Sequence, residues 1–106
     1  MFGGYDHNFI LAGAGWRRAA VVTRTPSGRM MELWTDQPGV QLYTANKFDK
    51  QIKVKNGGKY EKHQDFCLET QTIPNAAGMP WLNSPVFKAG QEYSTKTEYR
   101  FSTFNP

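Results

Sequence analysis

The chain has 106 residues, enough for one small domain, and carries a formal net charge of +4. A hydrophobic share of 39% and an aromatic share of 14% argue against disorder throughout, and the scattered basic residues argue against a nucleic-acid surface. No run approaches the length of a transmembrane helix, and Cys67, the only cysteine, excludes an internal disulfide.

Taken in chain order, the opening Met1-Phe2-Gly3-Gly4 has neither the basic start nor the apolar core of a signal peptide. Residues 8–12 read as a short strand after a polar loop, and Ala12-Gly13-Ala14-Gly15 as a turn. Residues 17–25, rich in Val and Thr, read as a second strand. Pro26-Ser27-Gly28 supplies hairpin-turn chemistry. Residues 29–35 follow as a strand with Met31 and Leu33 on one face and Glu32 and Trp34 on the other. Gln37-Pro38-Gly39 breaks it, and in residues 40–44 Val40, Leu42 and Thr44 alternate against Gln41 and Tyr43. Residues 46–62 have no periodicity and read as a long loop. Its lysines (Lys47, Lys50, Lys53, Lys55, Lys59 and Lys62) read as a solvated cluster rather than a phosphate-binding patch. Residues 65–71 form the next strand, residues 72–85 with three prolines are irregular, and residues 93–104 close the chain as a strand. With no helical stripe, heptad or repeat, the fold class is all-β with antiparallel hairpins. Cys67, inside an expected buried strand, reads as a small apolar residue. A reducing cytosol fits this cysteine usage, and the cytoplasm is the expected compartment.

Three polar clusters interrupt this pattern. In residues 63–71, Phe66 and Leu68 alternate with Cys67 and Glu69, which puts a carboxylate into a strand. Such a group is costly unless it is paired or faces a cavity, so Glu69 is either a surface or salt-bridged strand residue or a general base. In Gly3-Gly4-Tyr5-Asp6-His7-Asn8-Phe9, Asp6 either builds an Asx-turn or offers acceptor oxygens to a ligand's hydroxyls. Its place near the chain start leaves it open to end effects. In residues 35–46, Gln41 is either an exposed strand amide or a group that donates to and accepts from a ligand. His7 reads as a loop-holding residue. His63 reads as one that orders the Lys-rich loop or borders a site. Adjacent Asp6 and His7 point in different directions, which is poor for a shared metal. Trp16, Trp34 and Trp81 are candidates for stacking on an apolar ring face, with sheet packing the stronger reading for Trp34.

These three clusters, in this order, closely resemble motifs of the aldose 1-epimerases: Gly4-Tyr5-Asp6-His7-Asn8-Phe9, the run from Gly28-Arg29 through Thr35-Asp36-Gln37-Pro38-Gly39 to Asn46, and His63 through Phe66-Cys67-Leu68-Glu69-Thr70-Gln71. The resemblance runs from about Gly3 to Phe104. It implies that residues 1–106 are the C-terminal part of a single antiparallel β-sandwich domain, part of a mutarotase-like supersandwich. It implies interconversion of the α and β anomers of hexoses such as galactose and glucose. Glu69 is the implied general base, Asp6 and Gln41 are the implied sugar-binding residues, and Gln37, Tyr43 and Asn46 have supporting roles. No metal or organic cofactor is required. The implied partners are the aldohexose and the family's longer N-terminal portion, with no nucleic acid and no membrane. That N-terminal portion supplies the family's catalytic acid together with an arginine and a further histidine around the sugar. The 106 residues alone are therefore expected to be weakly active or inactive. Two alternatives stand beside this reading: a non-catalytic carbohydrate-binding or regulatory module, and a relative acting on hexose 6-phosphates, which the Lys-rich loop favours.

Overall fold

In the computed structural model the described residues are 3–48, 53, 55–82 and 84–105. They form six strands: β1 (Asp6–Ile10), β2 (Arg17–Arg24), β3 (Arg29–Thr35), β4 (Gly39–Tyr43), β5 (Cys67–Gln71) and β6 (Thr97–Thr103). All pairings are antiparallel, and only short 3-10 turns at Lys55–Gly57 and Ala76–Gly78 stand apart from strand and loop among the described residues. One sheet has the order β1-β4-β5 and the other β2-β3-β6. The expected all-β class holds, with some strand ends shifted. The last strand begins at Thr97 rather than at 93 because Asp36 captures the backbone before it. The Asp36 carboxylate accepts from the Lys96 N–H at 3.0 Å and the Thr95 hydroxyl at 2.7 Å. These two donors hold its carboxyl below the ordinary carboxylate range.

The β2–β3 hairpin turns where Pro26-Ser27-Gly28 predicts. Gly28 adopts φ 67°, a left-handed conformation suited to glycine, and its N–H donates to the Arg24 carbonyl at 2.9 Å. A register shift between Arg18 and Ala20 interrupts the pairing of β2 with β3. Between β3 and β4 the chain leaves one sheet for the other. Arg17 fixes that crossover: its Nη1 donates to the carbonyls of Thr35 (3.0 Å), Gln37 (2.8 Å) and Gly15 (3.0 Å). An always-charged guanidinium is well suited to gather several carbonyls at a crossover.

The two sheets pack face to face. The Thr70 and Thr97 hydroxyls lie 2.6 Å apart, the Thr35 and Thr97 hydroxyls 3.0 Å apart, and the Tyr99 hydroxyl donates to the Leu68 carbonyl at 2.7 Å. Leu33 and Thr35 are fully buried there, with Val40 close behind. As alternation predicts, Met31 and Leu33 share one face of β3, opposite Glu32 and Trp34. The core is small for the chain's aromatic content. Ile10, Trp81, Val86 and Phe101 stay largely exposed. The loop expected over 46–62 is described only in part, and Lys50 lies outside the described residues. Among its described residues a bridge joins Lys53 and Lys59.

Candidate functional site

The outer face of the β1-β4-β5 sheet gathers the three residues the sequence singles out. Directly opposed residues of neighbouring antiparallel strands share a face, as do residues two apart. Asn8 is opposite Gln41, and Gln41 is opposite Glu69. In the adjoining row Asp6 is opposite Tyr43, and Tyr43 is opposite Cys67. Asp6, Gln41 and Glu69 therefore stand on one surface, although 35 residues separate Asp6 from Gln41 in the chain. The Gln41 Nε2 donates to Asp6 Oδ1 at 2.9 Å.

Glu69 is exposed, so the burial cost expected of a strand carboxylate does not arise. Alternation sets which way a side chain points, not whether water reaches that face. Cys67 corrects the expectation in the same way: it is exposed and shares the face with Glu69, rather than being buried as a small apolar residue. Phe66, expected within the strand, precedes it and is exposed.

Asp6 is held firmly despite its place near the chain start. Tyr5, its neighbour, is gripped at both backbone groups. Its N–H donates to the Thr44 Oγ1 at 2.9 Å, and its carbonyl accepts from the Asn46 Nδ2 at 2.7 Å and from the Thr44 N–H at 3.1 Å. The Thr44 hydroxyl donates to Asn46 Oδ1 at 2.7 Å, and Asn46 is buried. Gly4 makes this clamp possible. A Cβ there would lie 2.3 Å from Asn46 Oδ1 and 2.7 Å from Thr44 Oγ1. Gln37 supports the crossover by donating from Nε2 to the Tyr93 hydroxyl at 2.9 Å, and the Tyr43 hydroxyl accepts from the Lys47 N–H at 3.3 Å.

The remaining candidates fall elsewhere. By alternation His7 belongs to the other face of β1. Its Nδ1 accepts from the Asp6 N–H at 2.9 Å, the loop-holding role expected of it. The His63 Nε2 abuts the space above Gly4 at 3.0 Å, and its N–H donates to the Ala45 carbonyl at 3.2 Å. Trp16 and Trp34 stack at 6.0 Å on the outer face of the other sheet, where Lys96 and Arg100 lie over them at 4.6 Å and 4.2 Å. Stacking of these two rings on a ligand held by Asp6 and Gln41 is thereby ruled out. Among the described residues no group of three His, Cys, Asp or Glu side chains could hold a metal ion. Among the described residues no helix is long and apolar enough to cross a membrane.

A carboxylate with an amide donor already in place, beside a second and freely exposed carboxylate, suits a polyhydroxylated ligand and proton transfer to or from it. Residues 2–100 match the family model described as aldose 1-epimerase, and the chain belongs to the aldose 1-epimerase family. It is 46% identical over 100 residues to a galactose mutarotase of Bos taurus, covering 93% of this chain and 29% of that protein. It is 45% identical to a galactose mutarotase of Homo sapiens over the same extent. Over 102 residues it is 32% identical to an aldose 1-epimerase of Escherichia coli (strain K12), covering 92% of this chain and 29% of that protein. The chain thus spans about 29% of the length of the curated relatives it matches.

Proposed function

We propose that the outer face of the β1-β4-β5 sheet is the sugar-binding and base-bearing part of an aldose 1-epimerase site, acting on hexoses such as galactose and glucose. The observation that carries this reading is the placement of Asp6, Gln41 and Glu69 on one face, with the Gln41 amide already donating to Asp6. In this reading Asp6 and Gln41 hold ring hydroxyls so that only C1 and the ring oxygen are free to react. Glu69 takes the proton of the anomeric hydroxyl while an acid protonates the ring oxygen. The bond from C1 to the ring oxygen breaks, C1 rotates about its bond to C2, and reclosure returns both protons in the opposite anomer. The reading makes residues 1–106 the C-terminal part of one mutarotase-like β-sandwich domain in the cytoplasm. The proton donor and the remaining sugar contacts come from an N-terminal portion of the family's length.

Polarimetry of freshly dissolved α-D-galactose, run beside a galactose-binding titration, tests this. Saturable binding that weakens in Asp6→Asn, with little or no acceleration of mutarotation, is the expected result. Absence of saturable binding would overturn the reading. Robust acceleration that vanishes in Glu69→Gln would contradict the divided site and locate the acid within these residues.

One observation favours a second reading, a sugar-binding module without catalysis. Neither His7 nor His63 stands in the rows that hold Glu69, so a proton donor opposite the base is not supplied by either. That reading predicts the same binding, and no gain in rate when the family's N-terminal portion is added to the chain in trans.

A further inference from the structure

We propose that Asn8 is a third hydroxyl-recognition residue of this face, contacting a pyranose hydroxyl beside those held by Asp6 and Gln41. The proposal rests on the sugar-binding reading above and extends it to a residue outside the Asp6, Gln41 and Glu69 set. Asn8 lies two residues beyond Asp6 on β1, so both project from the same face. It heads the straight row of Asn8, Gln41 and Glu69 across the three strands.

The carboxamide is anomalous where it sits. Both Asn8 Oδ1 and Asn8 Nδ2 are buried and have no hydrogen-bond partner among the described residues. A buried amide without partners is costly, and such groups are rare outside functional positions. Above Gly39, the place a Cβ would take lies 2.8 Å from Asn8 Oδ1 and 2.6 Å from Ile73 Cδ1. Glycine at position 39 leaves the space into which the amide and the Ile73 methyl converge. The described fold gives the amide no hydrogen-bond partner, whereas a ligand would supply one. A carboxamide offers two donors and an acceptor, matched to ring hydroxyls that both donate and accept.

The test is a D-galactose titration of the 106-residue chain, followed by the Asn8 side-chain 1H–15N signal and by the backbone amides of Asp6 and Gln41. The Asn8 signal is expected to move saturably with the same Kd as the other two. Asn8→Leu is expected to raise that Kd about tenfold while leaving Tm unchanged or higher, since it removes an unpaired buried amide. A lower Tm in Asn8→Leu would show that the amide serves the fold and would overturn the proposal. Wild-type affinity in Asn8→Leu, with affinity lost in Asp6→Asn, would overturn it and leave the sugar-binding face standing. No saturable binding by the unsubstituted chain would overturn both. If Asn8→Leu fails to fold, the wild-type signal decides: an Asn8 amide unmoved at saturation overturns the proposal.

Discussion

The Gln41 amide donates to the Asp6 carboxylate at 2.9 Å and so ties β4 to β1 on the face that carries Glu69. The contact is diagonal, since Gln41 is opposite Asn8 and Asp6 is opposite Tyr43. It orients the Asp6 carboxylate before any ligand arrives, which lowers the ordering cost of binding. Gln41→Leu leaves Asp6 without this donor. A hydrogen bond to a charged group contributes about 1.5–3 kcal/mol, so galactose affinity should fall roughly tenfold to a hundredfold. A titration of the two proteins checks this, and equal affinities would refute the pre-orienting role.

The Tyr5 clamp should be sensitive to a single methyl. In Gly4→Ala the new Cβ meets Asn46 Oδ1 and Thr44 Oγ1 at distances no contact tolerates, and both oxygens belong to short, buried-edge hydrogen bonds. Overpacking of this kind costs about 1–3 kcal/mol. Urea denaturation should register that loss, together with displaced amide signals for Tyr5 and Asp6. A variant as stable as the parent would mean that the clamp yields freely.

Cys67 shares the outer face with Glu69 and is exposed. A maleimide should therefore label it in the folded chain within the mixing time of ordinary thiol chemistry. The adduct should block galactose binding, and galactose should slow the labelling. Labelling that waits for denaturant would contradict the exposed placement.

Asp36 gives the acid limb of the stability curve. Its carboxyl is held below the ordinary value of 3.8 by the Lys96 N–H and the Thr95 hydroxyl. A depressed carboxyl contributes stability that is complete above the unfolded value and is lost as pH falls through the folded one. The Tm gap between the parent chain and Asp36→Ala should be constant at neutral pH and narrow as pH drops below about 4. A gap that widens in acid would reverse the sign and refute the assignment.

Much of this was legible in the sequence for local reasons. The β2–β3 hairpin follows from Val21, Val22 and Thr23 before Pro26-Ser27-Gly28, and β3 from the alternation of Met31 and Leu33 with Glu32 and Trp34. Period two also gave the direction of Gln41. Partnering was not legible, because β1 joins β4 and β3 joins β6 across long stretches of chain, and no local signal specifies which strand crosses to which sheet. Exposure at Cys67 was not legible for the same reason. Asn8 was within reach: a strand beginning at Asp6 puts position 8 on the same face, but its unpaired burial depends on Gly39 and Ile73, which only the fold brings near. The Asn46 and Thr44 grip on Tyr5 likewise joins segments 41 and 39 residues apart.

As the base, the Glu69 carboxyl has to meet the sugar that Asp6 and Gln41 hold. The most direct test follows the side-chain carboxyl 13C signals of Glu69 and Asp6 at neutral pH during a D-galactose titration. Both signals should shift saturably with one Kd, and the Glu69 shift should disappear in Asp6→Asn at the same sugar concentration. A Glu69 carboxyl signal that stays fixed while Asp6 saturates would contradict its role as the base.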